Sequence, residues 1–508
     1  MSAINLTAEP PRIQQMPAGW LRWSWLVVLA LAGTTGAAAF ALGELETRWL
    51  VFALAGAIGL LILLVVPYKD RLLSTAFVLS LQADVYLRLS YGRAGSIDGI
   101  AVSFTVVLGA VWLIYRYFAF GPAYLRTYRL GGLAVKPMLG ILAITLVSLA
   151  TTDERFVGLT RLVFELQLFF VYWLTFNLVR SEHDFKRLLG LLLAALIIQS
   201  IVLYVQNALG INFSMIGEVS QRGEVPRPGG TVGTTPAGFS SFITPALMMS
   251  IAYAFARSSD WRPRAALLAA LLGLAAIGLT FTRAAWAGAI LGMATVVILL
   301  ARRRMARWNR IFAIAAILGL AAAALLPTMM QRLSQDYGAH VNAQSAAWEE
   351  RWGLMRIAFN MIVHNPITGV GPGAYLYTFK SYIPPGLHQW VYVVHNEFLL
   401  RAAETGVPGL LAFIALIVVG FRLGARLARS PRPTLVVAGF GWTGALLSLV
   451  WQMSWVPWNG FTFNSMLWCM LGLLDATCSF ERGTGASRDA RPRLPGSTST
   501  PPRNSRLS

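Results

Sequence analysis

Charge is scarce in this sequence: 13% of its 508 residues are Asp, Glu, Lys or Arg, about half the roughly 25% of a soluble domain. A water-soluble enzyme is therefore excluded. So is a disordered chain, because 56% of the residues are apolar and disorder requires too little apolar surface to bury. Cysteine is nearly absent. The two present, Cys469 and Cys478, sit close together on the last apolar segment, support neither a disulfide framework nor a zinc-site spacing, and read as packing residues. Acid is short as well, 22 residues against 42 basic ones.

Long uncharged stretches are what the sequence has instead. Trp23–Gly43, Trp49–Tyr68, Leu188–Gly217 and Ile311–Gln331 each lack a charge, and about 20 apolar residues in a helix cross a bilayer while satisfying their own backbone. Cutting the pattern at charges, Pro and Gly predicts an all-α polytopic membrane protein with about twelve to fourteen transmembrane helices and one large outer loop. Asp84 interrupts the third expected span, 71–88, and Glu165 the sixth, 158–179. The first apolar run carries no small-residue cleavage site and is expected to remain as an anchor.

Orientation follows from Lys and Arg, which cytoplasmic loops hold in excess. The clusters Arg302-Arg303-Arg304, Arg307, Arg310 and Arg422, Arg426, Arg429, Arg432 fall on one side, with both termini. The net charge of +20 then reflects topology and anionic lipid, not nucleic acid. The expected division is a cytoplasmic segment over 1–22, helices over 23–327, an outer loop domain over 328–394, further helices over 395–478 and a disordered cytoplasmic tail over 479–508.

Basic residues on the outer side are the informative ones. Arg222 and Arg227 lie in a Gly/Pro-rich loop ahead of an uncharged helix, which reads either as a rigid cradle or as a connector with solvated arginines. Arg283, in Thr280-Phe-Thr-Arg-Ala-Ala-Trp286, stands between two apolar segments with no room for a long loop. An unpaired charge in hydrocarbon costs at least ~2.5 kcal/mol, so Arg283 either snorkels to the interface or faces a polar cavity, where a guanidinium suits phosphate oxygens. The outer loop contains an amphipathic helix around Trp348–Ile362 with Arg351, then Asn365-Pro-Ile-Thr-Gly-Val-Gly-Pro-Gly373, which no strand precedes, against a dinucleotide fingerprint. His395, followed by Asn396, Glu397 and, further on, Glu404, sits where the chain re-enters the membrane. It reads either as a proton-exchanging base or as an interfacial histidine bonded to loop backbone; pairing with His388 as metal ligands lacks a third ligand.

The Thr280–Trp286 segment, the Asn365–Gly373 stretch and the His395–Gly409 turn, in this order and spacing, resemble the O-antigen ligase and polymerase superfamily of bacterial envelopes over about residues 220–425. The resemblance implies a many-helix glycosyltransferase in the inner membrane. It takes a glycan from undecaprenyl pyrophosphate and joins it to a glycan or lipid A-core acceptor at the periplasmic face, with no metal and no cofactor. It also implies that Arg283 contacts the donor pyrophosphate, that Arg227, or else Arg222, is the loop arginine, and that His395 activates the acceptor. Asn396, Glu397, Glu404 and Arg351 are expected to support them. Ligation, polymerisation and transfer to a protein hydroxyl share these motifs and differ in the acceptor. A transporter or flippase for an anionic glycolipid is the rival from another class, and a purely structural scaffold would leave Arg283 without a purpose.

Overall fold

The computed structural model describes residues 69–82, 86–88, 100–210, 229–232, 236–257, 261–316, 319, 323, 341–387, 392–458 and 460–489. The expected spans at 23–43 and 49–67 lie outside these residues, as do Asp84, Arg222, Arg227 and His388. The described chain is an all-α polytopic membrane protein. Six of its helices are long and apolar enough to cross a membrane: α5 (Arg155–Leu178), α6 (Glu182–Leu209), α7 (Pro236–Phe255), α9 (Arg283–Arg302), α12 (Glu397–Leu427) and α13 (Pro433–Met453). Shorter apolar helices are α2 (Phe104–Phe120), α4 (Val135–Thr151) and α8 (Pro263–Leu279). The rest are α1 (Lys69–Ser80), the turns α3 (Pro122–Leu125) and α11 (Tyr375–Thr378), the loop helix α10 (Val341–His364) and the closing helix α14 (Phe461–Asp489).

α7 is the hub, with all of its residues but Ala237 buried. Its hydroxyls turn inward without orphaning a polar group. Thr244 Oγ1 donates to Ser240 O at 2.7 Å and Ser250 Oγ to Leu247 O at 2.7 Å, while Gln452 on α13 links Ser241 and Thr244 at 3.0 and 3.1 Å. Such pairs join helices where the surrounding lipid offers no hydrogen bonds. Small residues bring α9 against α13: a Cβ on Gly292 would lie 2.7 Å from Gly444 O, and one on Gly288 2.9 Å from Ser448 Oγ. At the start of α4, buried Asp475 of α14 accepts from Leu133 N at 2.9 Å, Ala134 N at 2.8 Å and the Tyr172 hydroxyl at 2.8 Å. It thereby caps the start of α4 with a charge matched to the helix dipole. Both cysteines are buried thiols, as their place on an apolar segment suggested.

Two expectations change. The third span, 71–88, ends early: α1 stops at Ser80, and β1 (Tyr86–Arg88) pairs antiparallel with β2 (Ala101–Ser103) in a short hairpin. Polar partners hold the chain off the helical path. Thr105 Oγ1 donates to Ser80 O at 2.9 Å, Thr231 Oγ1 to Gln82 O at 2.8 Å, and Gln167 brackets β2 by accepting from Ser103 N and donating to Ala101 O, both at 2.8 Å. The last helix runs on to Asp489, past the expected start of the tail at 479. Its extension is tied down by the Ser430 hydroxyl, which donates to Glu481, and by the Arg432 guanidinium 5.9 Å from the Phe480 ring.

Candidate active site

Arg283 is the first residue of α9, directly after a tight α8–α9 turn. The turn is built by buried Thr280, whose hydroxyl donates to Ile277 O at 2.8 Å and accepts from Ser240 at 3.2 Å. Trp286 Nε1 donates to the same Ile277 carbonyl at 3.0 Å. Phe281 is held at φ 50°, a left-handed conformation that a bulky residue adopts only under constraint. The result is a rigid corner from which Arg283 projects, exposed and without a hydrogen bond or ion pair among the described residues. The side chain adds its charge to the positive end of the α9 dipole, a combination suited to an anion.

The two glycine-rich motifs fit one another. α12 carries Gly406 at φ 73° and Pro408 inside its length; Pro has no N–H, so the Glu404 carbonyl loses its ordinary helical donor. Val407 N turns instead to Pro366 O at 2.8 Å, which frees the Ala403 carbonyl as well. The loop supplies both replacements: Val370 N donates to Ala403 O at 2.9 Å and Gly371 N to Glu404 O at 3.0 Å. Glycine is needed on each side, since a Cβ on Gly369 would collide with the Glu404 carbonyl and one on Gly406 with Ile367 O. From α4, Ser148 Oγ donates to Thr368 O at 2.5 Å and Thr152 Oγ1 to Val370 O at 3.0 Å. The Asn365–Gly373 stretch is thus a latch between the segment built on α10 and the membrane helices.

Behind the latch the loop has its own apolar core. Leu354, Ile357, Ala358 and Met361, at helical spacing on α10, pack with Tyr375, Phe379, Val394 and Leu400, so the amphipathic helix expected here forms. Tyr375 donates to Leu354 O at 3.2 Å, and burial pushes its phenol up.

His395 is half-buried at the start of α12. Next to it, Asn396 caps the helix by accepting from Leu399 N at 3.1 Å and reaches Ser454 O through its amide at 3.3 Å. Glu397 is 1% exposed; one carboxylate oxygen accepts from Arg401 Nε at 2.7 Å and the other from Trp458 N at 2.7 Å. Arg401 spans to α5, donating to Glu165 at 2.6 Å, and Glu165 also accepts from Thr145 of α4 at 2.6 Å. Its neighbour Arg161 stands 3.7 Å from the same carboxylate. Glu404, one turn further along α12, has its carboxylate held by Gly373 N. Charges removed from water this far require such pairing.

Arg283 and His395 occupy the same end of the bundle. Gly288 lies against Ser448 and Gln452 on antiparallel α13, so Arg283, five residues before it, stands about 7.5 Å further along, level with the Ser454 that Asn396 holds. Arg351 on α10 joins the group with its guanidinium 5.9 Å from the Trp455 ring. The structure therefore places Arg351, Asn396 and Glu397 at the 454–458 connection, with His395 next to Asn396 and Arg283 level with it, while Glu404 lies about two turns further along α12, at the latch. Sequence reasoning missed Arg161 and Arg401 and treated Glu165 as an interruption. Their signal was there: Arg161 and Glu165 are spaced i,i+4, as are Glu397 and Arg401, giving two helices complementary charge pairs.

Residues 268–414 match the O-antigen ligase family model. That stretch holds Arg283, the latch and His395, so the family resemblance falls on the gathered residues. The match covers less than a third of the chain and supports, in general, glycan transfer of the O-antigen ligase and polymerase kind, with a glycan-lipid donor and a glycan acceptor. One solved chain, from work on the structural coordination of polymerization and crosslinking by a peptidoglycan synthase complex, is similar at 16% identity over 69% of this chain and 96% of that one, with a TM-score of 0.38. No curated protein matches the chain.

Proposed function

We propose that the chain transfers a glycan from undecaprenyl pyrophosphate to an acceptor hydroxyl at the periplasmic face of the bacterial inner membrane. Both termini are cytoplasmic in this reading, and the acceptor belongs to lipid A-core or to a growing polysaccharide. The observation that supports it best is the placing of Arg283 and His395 at one end of the bundle, both within the ligase-type segment. Arg283, with Arg227 or Arg222 from the loop, holds the pyrophosphate. His395 takes the proton of the acceptor hydroxyl as its oxygen attacks the anomeric carbon. The bond from that carbon to the phosphate oxygen breaks, and undecaprenyl pyrophosphate leaves with the electron pair. Preorganised guanidinium groups stabilise the charge that grows on the leaving group, and no step calls for a metal.

The Arg401 bridge gives His395 a fixed seat, because Glu397 is anchored both to α5 and to the connection ahead of α14. In reconstituted vesicles, Arg283→Ala and His395→Ala are each expected to abolish transfer while the protein stays inserted; full activity in either variant removes the role assigned to that residue. The same assay separates the flippase alternative, since transfer proceeds without a gradient. A knockout separates the acceptors: loss of a ligase leaves long carrier-linked polymer, loss of a polymerase leaves single repeats on the acceptor, and loss of a protein oligosaccharyltransferase strips glycan from particular proteins.

A further inference from the structure

Arg161 is a second arginine of this end, after Arg283, whose donors are largely unused among the described residues. Its side chain is 12% exposed and its guanidinium lies 4.5 Å from the Phe164 ring centroid, stacked at one face. A guanidinium offers five N–H donors. Among the described residues Arg161 makes one long contact, 3.7 Å to Glu165, and no hydrogen bond. The Glu165 oxygens are already claimed at 2.6 Å by Arg401 and Thr145. None of its nitrogens is among the described polar atoms sealed off without a partner, and the side chain keeps its small exposed fraction on this side of the bundle. The residue lies beside the latch, where a Cβ on Gly373 would sit 3.7 Å from Arg161 Cβ.

The surroundings decide what can bind there. Arg161 shares its field with Arg401, Glu165, Glu397 and Glu404, so the guanidinium charge there is offset by neighbouring carboxylates. A diphosphate finds no net positive charge at that position. A neutral polyol needs none, because its hydroxyl oxygens accept from the guanidinium, its hydroxyls donate to a carboxylate, and its ring lies on an aromatic such as Phe164. The seat of His395 lies between the two arginines: Asn396 binds the end of α13, which packs on the α9 of Arg283, while Glu397 and Arg401 lead to the α5 of Arg161. A general base belongs beside the attacking hydroxyl, within hydrogen-bond reach of its proton, and the acceptor's remaining hydroxyls then extend away from the pyrophosphate.

We propose that Arg161, with Phe164 and Glu404, forms a subsite for the neutral sugar hydroxyls of the acceptor, on the far side of His395 from the pyrophosphate. This rests on the glycan-transfer reading above. The full chain in nanodiscs, fluorescently labelled, is applied to an array of neutral and acidic oligosaccharides, and its affinity for undecaprenyl pyrophosphate is measured separately. The wild-type protein is expected to retain neutral glycans. Arg161→Gln is expected to reduce that signal about tenfold, the loss of one charged hydrogen bond, while undecaprenyl pyrophosphate binding stays within about twofold. An unchanged array signal in Arg161→Gln, no glycan retained by the wild type, or weakened undecaprenyl pyrophosphate binding instead would each overturn the subsite. Should Arg161→Gln fail to give a monodisperse protein, Arg161→Lys keeps the charge but loses the planar fork; a wild-type array signal from it overturns the proposal equally. Arg283→Gln is measured alongside. Undiminished undecaprenyl pyrophosphate binding by that variant sinks the donor assignment, and leaves the result at Arg161 readable by itself.

Discussion

Arg401 and Arg283 stand at the same end of the bundle and have opposite surroundings. Arg401 is 8% exposed and its donors are taken by Glu397 and Glu165 at 2.7 and 2.6 Å. Arg283 begins a helix, is exposed, and has no such partner among the described residues. The difference is one of available carboxylates, not of residue type. Where two buried carboxylates are in reach, the guanidinium is consumed by structure; where none is, its charge remains available to a ligand. The two arginines should therefore separate stability from activity.

The largest effect on folding is expected at Arg401. Arg401→Ala leaves Glu165 and Glu397 buried beside an emptied position, and breaking one partner of a buried pair costs about 3–5 kcal/mol. Thermal unfolding in detergent, followed by size-exclusion fluorescence, should show a large fall in midpoint or the loss of the monodisperse peak. An unchanged midpoint would mean the bridge does not carry the seat of His395.

How far the sequence could disclose this contrast depends on the range of each interaction. The membrane helices were legible because each is its own local signal: spans expected at 236–256, 284–301 and 433–453 appear as Pro236–Phe255, Arg283–Arg302 and Pro433–Met453. The break at Ser80 was not, because it depends on hydroxyl and amide partners from Thr105 and Thr231 that a hydropathy window does not see. The same holds at the site. Arg283 stood out as a charge with nowhere local to go. Arg401 did not, since its decisive partner Glu165 is 236 residues away. The Asn365–Gly373 motif was recognisable as a pattern, but its role as a latch follows only from the carbonyls that Gly406 and Pro408 release on another segment.

That latch supplies the next test. Gly406→Ala puts a Cβ into a left-handed residue and against the Ile367 carbonyl, with an expected cost of about 2–3 kcal/mol. The loss should be concentrated in the latch and the α10 segment: hydrogen exchange at Val370 and Gly371, whose amides bond to α12, should accelerate more than exchange in α7. Uniform acceleration across the bundle would contradict a latch confined to this junction. Asp475→Asn, at the far end, touches neither arginine. It replaces a charged acceptor of two helix-capping amides, and about 1–2 kcal/mol is expected to be lost, with transfer activity per folded molecule unchanged. A selective loss of transfer would show the two ends to be coupled.

The smallest effect on stability is expected at Arg283, and it sharpens the comparison most. Arg283→Ala removes no hydrogen bond or ion pair among the described residues, and the fixed corner around it is made by Thr280, Phe281 and Trp286. The unfolding midpoint should therefore move by no more than a substitution on an exposed surface produces, within about 0.5 kcal/mol. Transfer should nevertheless fall by about 100-fold or more, the scale on which a preorganised charge-stabilising donor contributes to catalysis. Were Arg283→Ala instead to destabilise the protein as strongly as Arg401→Ala, its guanidinium would be serving the fold, and the distinction between a consumed arginine and an available one would fail at the residue on which it chiefly depends.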